Sequence, residues 1–292
     1  MPDDGADAVV ALTEQARSEL RLKQFKLQST SIEQALLRAH QRGVRVRVML
    51  NPHTSGGDRW NDAAYALLQG WGIAVQWTSE SFPVTHEKSM VIDNASVLIA
   101  TFNLSDKYFN ETRDYGVVSH DPAVVEQVSV GFEADWHRQF FEPRLDVGLV
   151  WSSAHSRGQM AKVIDRAHKT LWIQHPKFVD AVILERVVAA RARGVKQILL
   201  ATFPPVRAGI RGSLAAPYIT PVNTGVRNLA VEKGVTLVDL YEAMRGEETT
   251  LIGDDGLHPT VAGYRRMAET FLNAIKQQFE LASPPSLVFR LR

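Results

Sequence analysis

The pattern that decides the fold lies in residues 20–50, LRLKQFKLQSTSIEQALLRAHQRGVRVRVML. Leu20-Arg21-Leu22 alternates apolar and charged residues, which is typical of a strand. Ile32–Arg42 has apolar residues at helical spacing, and Val44–Leu50 predicts a second strand. Gly43 is typical of a helix end, because a residue without a Cβ turns the chain out of a helix at low cost. This strand–helix–strand order favours an α/β fold.

The same pattern returns 151 residues later, without a gap, over Leu171–Val195. The second copy opens on Leu171-Trp172-Ile173, has helical spacing over Ile183–Arg193 and turns at Gly194. Any two strand–helix–strand units share such features, but a gapless match favours duplication. We predict a mixed or largely parallel sheet flanked by helices, with a second α/β half.

The boundary between the halves is predicted near Glu142–Val147, which gives domains over residues 1–145 and 146–292. The stretch from Pro204 to Thr220 is rich in proline and glycine and predicts a loop, and Ser283–Arg292 a tail. The other predicted elements are helices at Ala8–Ser18, Asp62–Gln69, Val124–Arg138, Arg157–His168, Val222–Lys233 and Ala262–Glu280, and strands at Ile73–Trp77, Lys88–Asp93, Ser96–Ala100, Tyr115–Ser119, Val195–Ala201 and Val235–Leu240.

Composition limits the function classes. The 292 residues include no cysteine, which excludes disulfides, thiolate metal sites and a cysteine nucleophile. The 33 basic and 32 acidic residues leave a net charge of +1, so bulk charge gives nucleic-acid binding no support. The apolar runs are far shorter than a membrane span needs. Met1–Ala8 does not resemble a signal peptide, so the compartment is open: cytoplasmic by default, unless an export signal lies upstream of this sequence.

The first chemical motif is His86-Glu87-Lys88 followed by Asp93, or H-x-K-x4-D. On a strand, residues 86 and 88 point to the same face. An imidazole can attack phosphorus, and an ammonium can hold phosphoryl oxygens. Asn103 can donate to the same oxygens, and one of two carboxylates, that of Glu111 or that of Asp114, could fix the imidazole tautomer. A lone H-x-K on a strand is common, but this ordered set is far rarer.

In this set the sequence resembles the phospholipase D superfamily, whose motif is H-x-K-x4-D followed by G-S-x-N. The resemblance covers about residues 8–197. His86, Lys88, Asp93 and Asn103 match the motif, whereas Ala100-Thr101 departs from its Gly-Ser. The resemblance implies catalysis by His86, Lys88, Asp93 and Asp114, phosphate binding by Lys88 and Asn103, a phosphohistidine intermediate, and no metal or other cofactor.

The family site needs two H-x-K-x4-D motifs, and this chain has one complete motif; the string His175-Pro176-Lys177 has Val182 where the motif has Asp. The 151-residue offset places the second pair at Leu237 and Asp239, which do not match. Two explanations stay open. Two protomers could share one site across a two-fold axis, as in some single-motif members of the family. Alternatively, the second half is degenerate or replaced, and the chain is inactive.

The second motif is Asp255-x-x-His258, a candidate acid–base pair of a serine hydrolase. The plainer interpretation is a capped helix entry. From about residue 198 to 280, the chain resembles the C-terminal half of SGNH/GDSL hydrolases, which implies catalysis by Asp255 and His258. The family's serine and asparagine motifs are missing, and the closest string, Gly57-Asp58-Arg59, has Arg in place of Ser. The second half is therefore predicted to be composite, with its phospholipase D-like start reaching about residue 197.

Three hypotheses follow. The leading one is a metal-independent phosphodiesterase or transphosphatidylase whose site is completed in a homodimer. The second is an ester hydrolase at Asp255 and His258 that lacks its usual serine, and the third is a non-catalytic module or inactive fusion. The near-neutral charge favours a phospholipid or small diester as substrate over nucleic acid.

Overall fold

The structure is a computed structural model that describes residues 4–54, 56–112, 114–152, 155–171, 173, 180–194 and 199–279. It divides into two units, residues 1–151 and 152–292. The boundary predicted near Glu142–Val147 lies inside the first unit. No helix among the described residues is both long and apolar enough to cross a bilayer.

The first unit is built on a six-stranded mixed sheet of order β4-β3-β1-β5-β6-β8. Strands β4, β3 and β1 are parallel, and every pairing from β1 to β8 is antiparallel. This confirms the predicted α/β class and the mixed sheet with flanking helices. The elements are α1 (Asp7–Gln15), β1 (Glu19–Gln24), β2 (Leu27–Gln28), α2 (Thr30–Gln41), β3 (Arg45–Leu50), α3 (Asp62–Gly70), β4 (Ala74–Trp77), β5 (Lys88–Ile92), β6 (Ser96–Ala100), β7 (Leu104–Ser105), α4 (Asp106–Glu111), β8 (Gly116–Ser119) and α5 (Pro122–Trp136).

Strand β1 is buried along its whole length, and its two faces differ. Leu20 and Leu22 belong to the main apolar core, together with residues of α1, α2 and β3. Glu19, Arg21 and Lys23 alternate with them. Arg21 pairs with Glu19 and with Glu133 of α5, and Lys23 pairs with Asp135 of α5. The sheet is therefore covered on both sides, by an apolar core on one and by a partly ionic layer on the other.

The predicted helix end at Gly43 is confirmed. Gly43 has φ +87°, a conformation that residues with a Cβ rarely adopt. Its amide donates to the carbonyl of His40, and the amide of Val44 donates to Ala39. These bonds satisfy the last carbonyls of α2 and turn the chain directly into β3.

The second unit has a small described sheet, in which β9 and β10 are parallel. Its main apolar cluster joins α6, α7, Ala230 and Val235. The second strand–helix–strand copy is described only in part, since residue 172 and residues 195–198 lie outside the described residues, as does the predicted tail from residue 283. The elements are α6 (Ser156–Asp165), α7 (Ala181–Ala192), β9 (Leu199–Ala201), α8 (Ile210–Lys233), β10 (Thr236–Val238), α9 (Leu240–Met244), α10 (Glu248–Leu251) and α11 (Val261–Phe279).

The loop predicted from Pro204 to Thr220 is wrong in its second half. Helix α8 begins at Ile210 and contains Pro217 and Pro221. A proline removes one amide donor from a helix and strains the turn before it. The neighbouring residues keep their own amide donors, so the helix continues past both prolines. The start of α8 is also fixed from outside, because the amides of Arg211 and Gly212 donate to the carbonyl of residue 255.

Candidate active site

His86 and Lys88 meet at the N-terminal end of β5. Lys88 is the first residue of the strand and pairs with Gln24 of β1. Its Nζ lies 3.1 Å from His86 Nδ1 and donates to the His86 carbonyl at 2.9 Å. The structure therefore brings the two motif side chains together on one side of the sheet.

The charge states of the pair follow from burial. Lys88 is only 5% exposed, and burial lowers its pKa to about 8, although the nearby Asp114 carboxylate opposes the shift. Burial of the ring and the Lys88 charge together lower the pKa of His86, although the residue as a whole is partly open to solvent. At neutral pH the lysine is therefore a cation and the imidazole is neutral, as a nucleophile must be.

An aromatic wall lies beside this pair. The ring of Phe25 is 4.5 Å from that of His86, between centroids, and Lys88 Nζ lies 5.1 Å from the Phe25 centroid. Trp60 packs edge-on against Phe25 at 6.0 Å. The site therefore has an apolar surface next to the imidazole.

Two buried asparagines hold the loops that carry Phe25 and His86. Asn61 donates to the carbonyls of Phe25 and Asn51, and its oxygen accepts from the amide of Leu27. The Asn51 oxygen accepts from the amide of Thr85, next to His86. Neither these asparagines nor Phe25 are among the site residues predicted from the sequence. The feature of the sequence that points to Asn51 is its position directly after a predicted strand, where sites on α/β sheets often form.

Asn103 is 4% exposed, and its side-chain oxygen has no hydrogen-bond partner among the described residues. A buried polar atom without a partner is costly, typically by about 1–3 kcal/mol. The two ends of an amide can be exchanged by a flip, so the end without a partner can be the NH₂ group. This fits the predicted donation to an anionic ligand.

Asp114 is held by two hydroxyls. Thr101 Oγ1 donates to it at 2.8 Å, and Thr112 Oγ1 donates to its other oxygen. The threonine that departs from the family's serine therefore still supplies a hydroxyl to the site. Asp114 acts electrostatically on Lys88, as the pKa shift shows, whereas its orientation of His86 stays a prediction. Glu111, the second candidate, is the last residue of α4.

Asp93 lies at the opposite end of β5, about 16 Å along the strand from Lys88. Its carboxylate accepts from the amides of Arg17, Ser18 and Glu19 and from the Ser18 hydroxyl. These bonds lower its pKa against the opposing effect of burial. Asp93 therefore ties the β5–β6 turn to the start of β1 and is not brought to His86.

In the second unit, Asp255 and His258 form a close pair. His258 Nδ1 lies 2.5 Å from Asp255 Oδ2, while Asp255 Oδ1 accepts from the amides of Leu257 and His258. Although partial burial opposes the shift, these bonds lower the pKa of Asp255 to about 2. The carboxylate fixes the ring tautomer and leaves Nε2 as the free nitrogen. The same bonds also close a turn before α11, so the helix-entry interpretation holds as well.

A comparison with protein families identifies the type of domain in the first unit. Residues 9–136 match the family model described as "Cardiolipin synthase, PLD-like domain". Residues 9–136 form a phospholipase D-like domain.

Individual relatives of the phospholipase D-like domain are distant. Phospholipase D Z of Dictyostelium discoideum is 22% identical over 70% of this chain and 50% of its own length. Mitochondrial cardiolipin hydrolase of Xenopus laevis is 28% identical over 41% of this chain and 56% of its own length. The chain thus spans only about half of each relative. The crystal structure of Nuc from Salmonella typhimurium, a phospholipase D family member, aligns with 49% of this chain and 94% of its own at 23% identity and a TM-score of 0.43.

The second unit matches a different family. Residues 146–266 match the "GDSL-like Lipase/Acylhydrolase family". The matched range contains Asp255 and His258. It also contains Leu237 and Asp239, where the repeat would place a second H-x-K pair. Asp239 caps α9 and is bonded by Arg227 and Thr202, so this position is occupied by a structural ion pair.

Proposed function

We propose that the phospholipase D-like domain cleaves or transfers phosphodiesters without a metal, through a phosphohistidine on His86. The observation that carries this proposal is the 3.1 Å separation of His86 Nδ1 from Nζ of the buried Lys88, where burial and the lysine charge lower the pKa of the imidazole. The imidazole attacks phosphorus, the bond from phosphorus to the leaving oxygen breaks, and that oxygen takes a proton. Water or an alcohol then attacks the phosphohistidine and releases His86.

Lys88 and Asn103 bind the phosphoryl oxygens in this proposal. Lys88 supplies a full charge in a place from which water is largely excluded, where electrostatic stabilisation of developing negative charge is strongest. Asn103 adds a hydrogen bond from its amide. Asp114 holds its charge near Lys88 and is the proposed orienter of the imidazole.

The proton for the leaving group comes, in this proposal, from the imidazolium of His86 of a second protomer in a homodimer. The two His86 rings share one proton, so that one ring attacks as the neutral imidazole while the other is the acid. The chain contains a single complete H-x-K-x4-D motif. Strand β8, which follows Asp114 directly, is the last strand of its sheet, and its Val117 is 65% exposed. A free strand edge with exposed apolar side chains is a surface on which another chain can pack. The alternative is an inactive chain.

A phospholipid or small diester is the proposed substrate class. The net charge of +1 gives no support to nucleic acid, and the two relatives described above are named for phospholipase and cardiolipin hydrolase activity. The apolar surface of Phe25 and Trp60 beside His86 suits the organic part of such an ester.

The test mixes wild-type and His86→Ala protein at constant total concentration, with a chromogenic phosphodiester and EDTA. If each site needs two His86 side chains, activity falls with the square of the wild-type fraction, after subunit exchange. A linear fall would show that each chain works alone. Acid-labile phosphate trapped on His86 would support the intermediate, and activity that survives His86→Ala would refute the proposal.

A second candidate function is ester hydrolysis at Asp255 and His258. The observation that favours it is the short bond between these side chains, which prepares His258 Nε2 to act as a base. This reaction needs a serine that the GDSL-type motifs do not provide here. Labelling by a serine-directed phosphonate that is lost in His258→Ala would support it, and absence of labelling would count against it.

A further inference from the structure

Lys23 is the most completely buried charged side chain of the phospholipase D-like domain among the described residues. It is 1% exposed, and its Nζ lies 3.0 Å from Glu87 Oε2 and 2.5 Å from Asp135 Oδ2. The two carboxylates raise its pKa although burial opposes this. An ammonium in such a place must be paired, so its carboxylate partners are held firmly.

Glu87 is the middle residue of the H-x-K motif. The Ser89 hydroxyl donates to its other oxygen, at 2.6 Å. Because side chains alternate along a strand, Glu87 and Ser89 point toward α5, whereas His86 and Lys88 point to the opposite side. The residue between the two site residues is therefore fixed from behind by two groups, Lys23 on β1 and Ser89 on β5, and Lys23 is itself held by Asp135 on α5.

The pairing of β1 with β5 places these anchors level with the site. Lys23 is opposite Ser89, and Gln24 is opposite Lys88. A displacement of Glu87 would move the peptide groups on both sides of it, and with them the side chains of His86 and Lys88. These side chains are held 3.1 Å apart, a geometry that a small shift of the backbone would break.

We propose that Glu87 is a positioning residue for the site, anchored through Lys23, and that it holds His86 and Lys88 in register with each other. The inference rests on the proposed phosphodiesterase function and extends it to residues on the other face of the sheet. Asp135 bonds the same ammonium but belongs to α5 and not to the motif. It therefore provides a matched control.

The experiment compares Glu87→Ala, Glu87→Gln and Asp135→Ala in the full chain. The two alanine variants each leave Lys23 with one carboxylate, so both should lower the Tm. Only Glu87→Ala should lower kcat, by about 10- to 100-fold, since small displacements of reacting groups cost about that much. Glu87→Gln keeps an oxygen for Ser89 and Lys23 and should recover most of the kcat. The KM should change less than kcat in Glu87→Ala.

A second readout is the pKa of His86 by NMR titration, with its signal assigned by His86→Ala. Removal of a nearby carboxylate alone would lower this pKa. Loss of position would raise it toward its ordinary value, because the ring would move away from Lys88 and toward water. We expect a rise in Glu87→Ala and no change in Asp135→Ala.

Equal losses of kcat in Glu87→Ala and Asp135→Ala, or a His86 pKa that falls or stays constant in Glu87→Ala, would overturn the inference and leave the proposed function standing. If the wild type does not cleave phosphodiesters, the proposed function fails. The NMR titration then decides the inference alone, by the same outcomes.

Discussion

His86 and His258 each have a charged side chain close to Nδ1, but the charges have opposite signs. Next to His86 is the ammonium of Lys88, and next to His258 is the carboxylate of Asp255. A nearby cation favours the neutral form of an imidazole, whereas a carboxylate that accepts from one ring nitrogen fixes the tautomer. In the two proposed functions, the same residue type therefore serves as a nucleophile towards an anionic ester in one unit and as a general base in the other.

The comparison also extends to what surrounds each ring. The Phe25 ring and Lys88 lie beside His86, and Asn103 is buried with a side-chain oxygen that has no partner among the described residues. His258 is half exposed, and the serine that a hydrolase of its type requires is missing from the expected motif. The two proposed sites therefore differ in the surroundings of the histidine as well as in its contact at Nδ1.

The largest expected effect separates the two histidines. His86→Ala should lower phosphodiester hydrolysis by about 10³-fold or more, because it removes the nucleophile. His258→Ala should leave that activity unchanged. The measurement is kcat/KM with EDTA present, and circular dichroism of both variants checks folding. Equal losses of activity in the two variants would show that the two histidines do not differ in their importance for this reaction.

The next effect is the pH dependence that Lys88 gives to the first site. The Lys88 cation is present below its pKa of about 8 and is lost above it, so KM should rise about tenfold per pH unit on the alkaline side. On the acidic side, activity should fall as His86 becomes protonated, at a pH below the usual value for histidine. Lys88→Arg keeps its charge and should move the alkaline limb upward. An alkaline limb that stays in place in this variant would assign the limb to another group.

A third prediction concerns Asp93, whose carboxylate, like that of Asp255, accepts hydrogen bonds from backbone amides. Asp93→Ala should lower the free energy of unfolding by about 2 kcal/mol, because three amides lose their acceptor and a residue with φ +53° loses a side chain that favours it. Urea unfolding measures the loss. The kcat of the folded fraction should stay close to that of the wild type, and Asp93→Asn should be milder. A loss of kcat without a loss of stability would give Asp93 a chemical role.

The smallest effect is the stability that Asp255 gives to the second unit. Its pKa in the folded chain is about 2, below its ordinary value of 3.8, so its contribution is present above about pH 4 and is lost as pH falls toward 2. With solvent screening, Asp255→Asn should lower the free energy of unfolding by about 1 kcal/mol at pH 6. The difference between variant and wild type should shrink toward zero near pH 2. A difference that is constant with pH would mean that the ion pair contributes nothing.

The sequence predicts the pairing of His86 with Lys88 because the two-residue period of a strand is a local property. It predicts most helices and strands of the first unit within a few residues for the same reason, but not α4 or the short strands β2 and β7. Asn51, Asn61 and Lys23 could not be assigned from the sequence, since their partners lie from ten to more than a hundred residues away and are set by tertiary contacts. The helical start of α8 is not predicted from the sequence. The sequence shows the prolines of this stretch, but it does not show the hydrogen bonds from the amides of Arg211 and Gly212 to the carbonyl of residue 255.

The turn after β5 fixes the register in which β5 pairs with β1. Asp93 and Asn94 both have positive φ, and the amide of Ala95 donates to Ile92, which is the geometry of a tight hairpin turn. With Asp93 also tied to Arg17, Ser18 and Glu19, β5 cannot slide along β1. A slip of one residue would turn Lys88 toward α5 and bring Glu87, an anion, to the place of a phosphate-binding cation. The aspartate of the H-x-K-x4-D motif thus fixes the register of β5, and the register decides the sign of the charge at the far end of the strand.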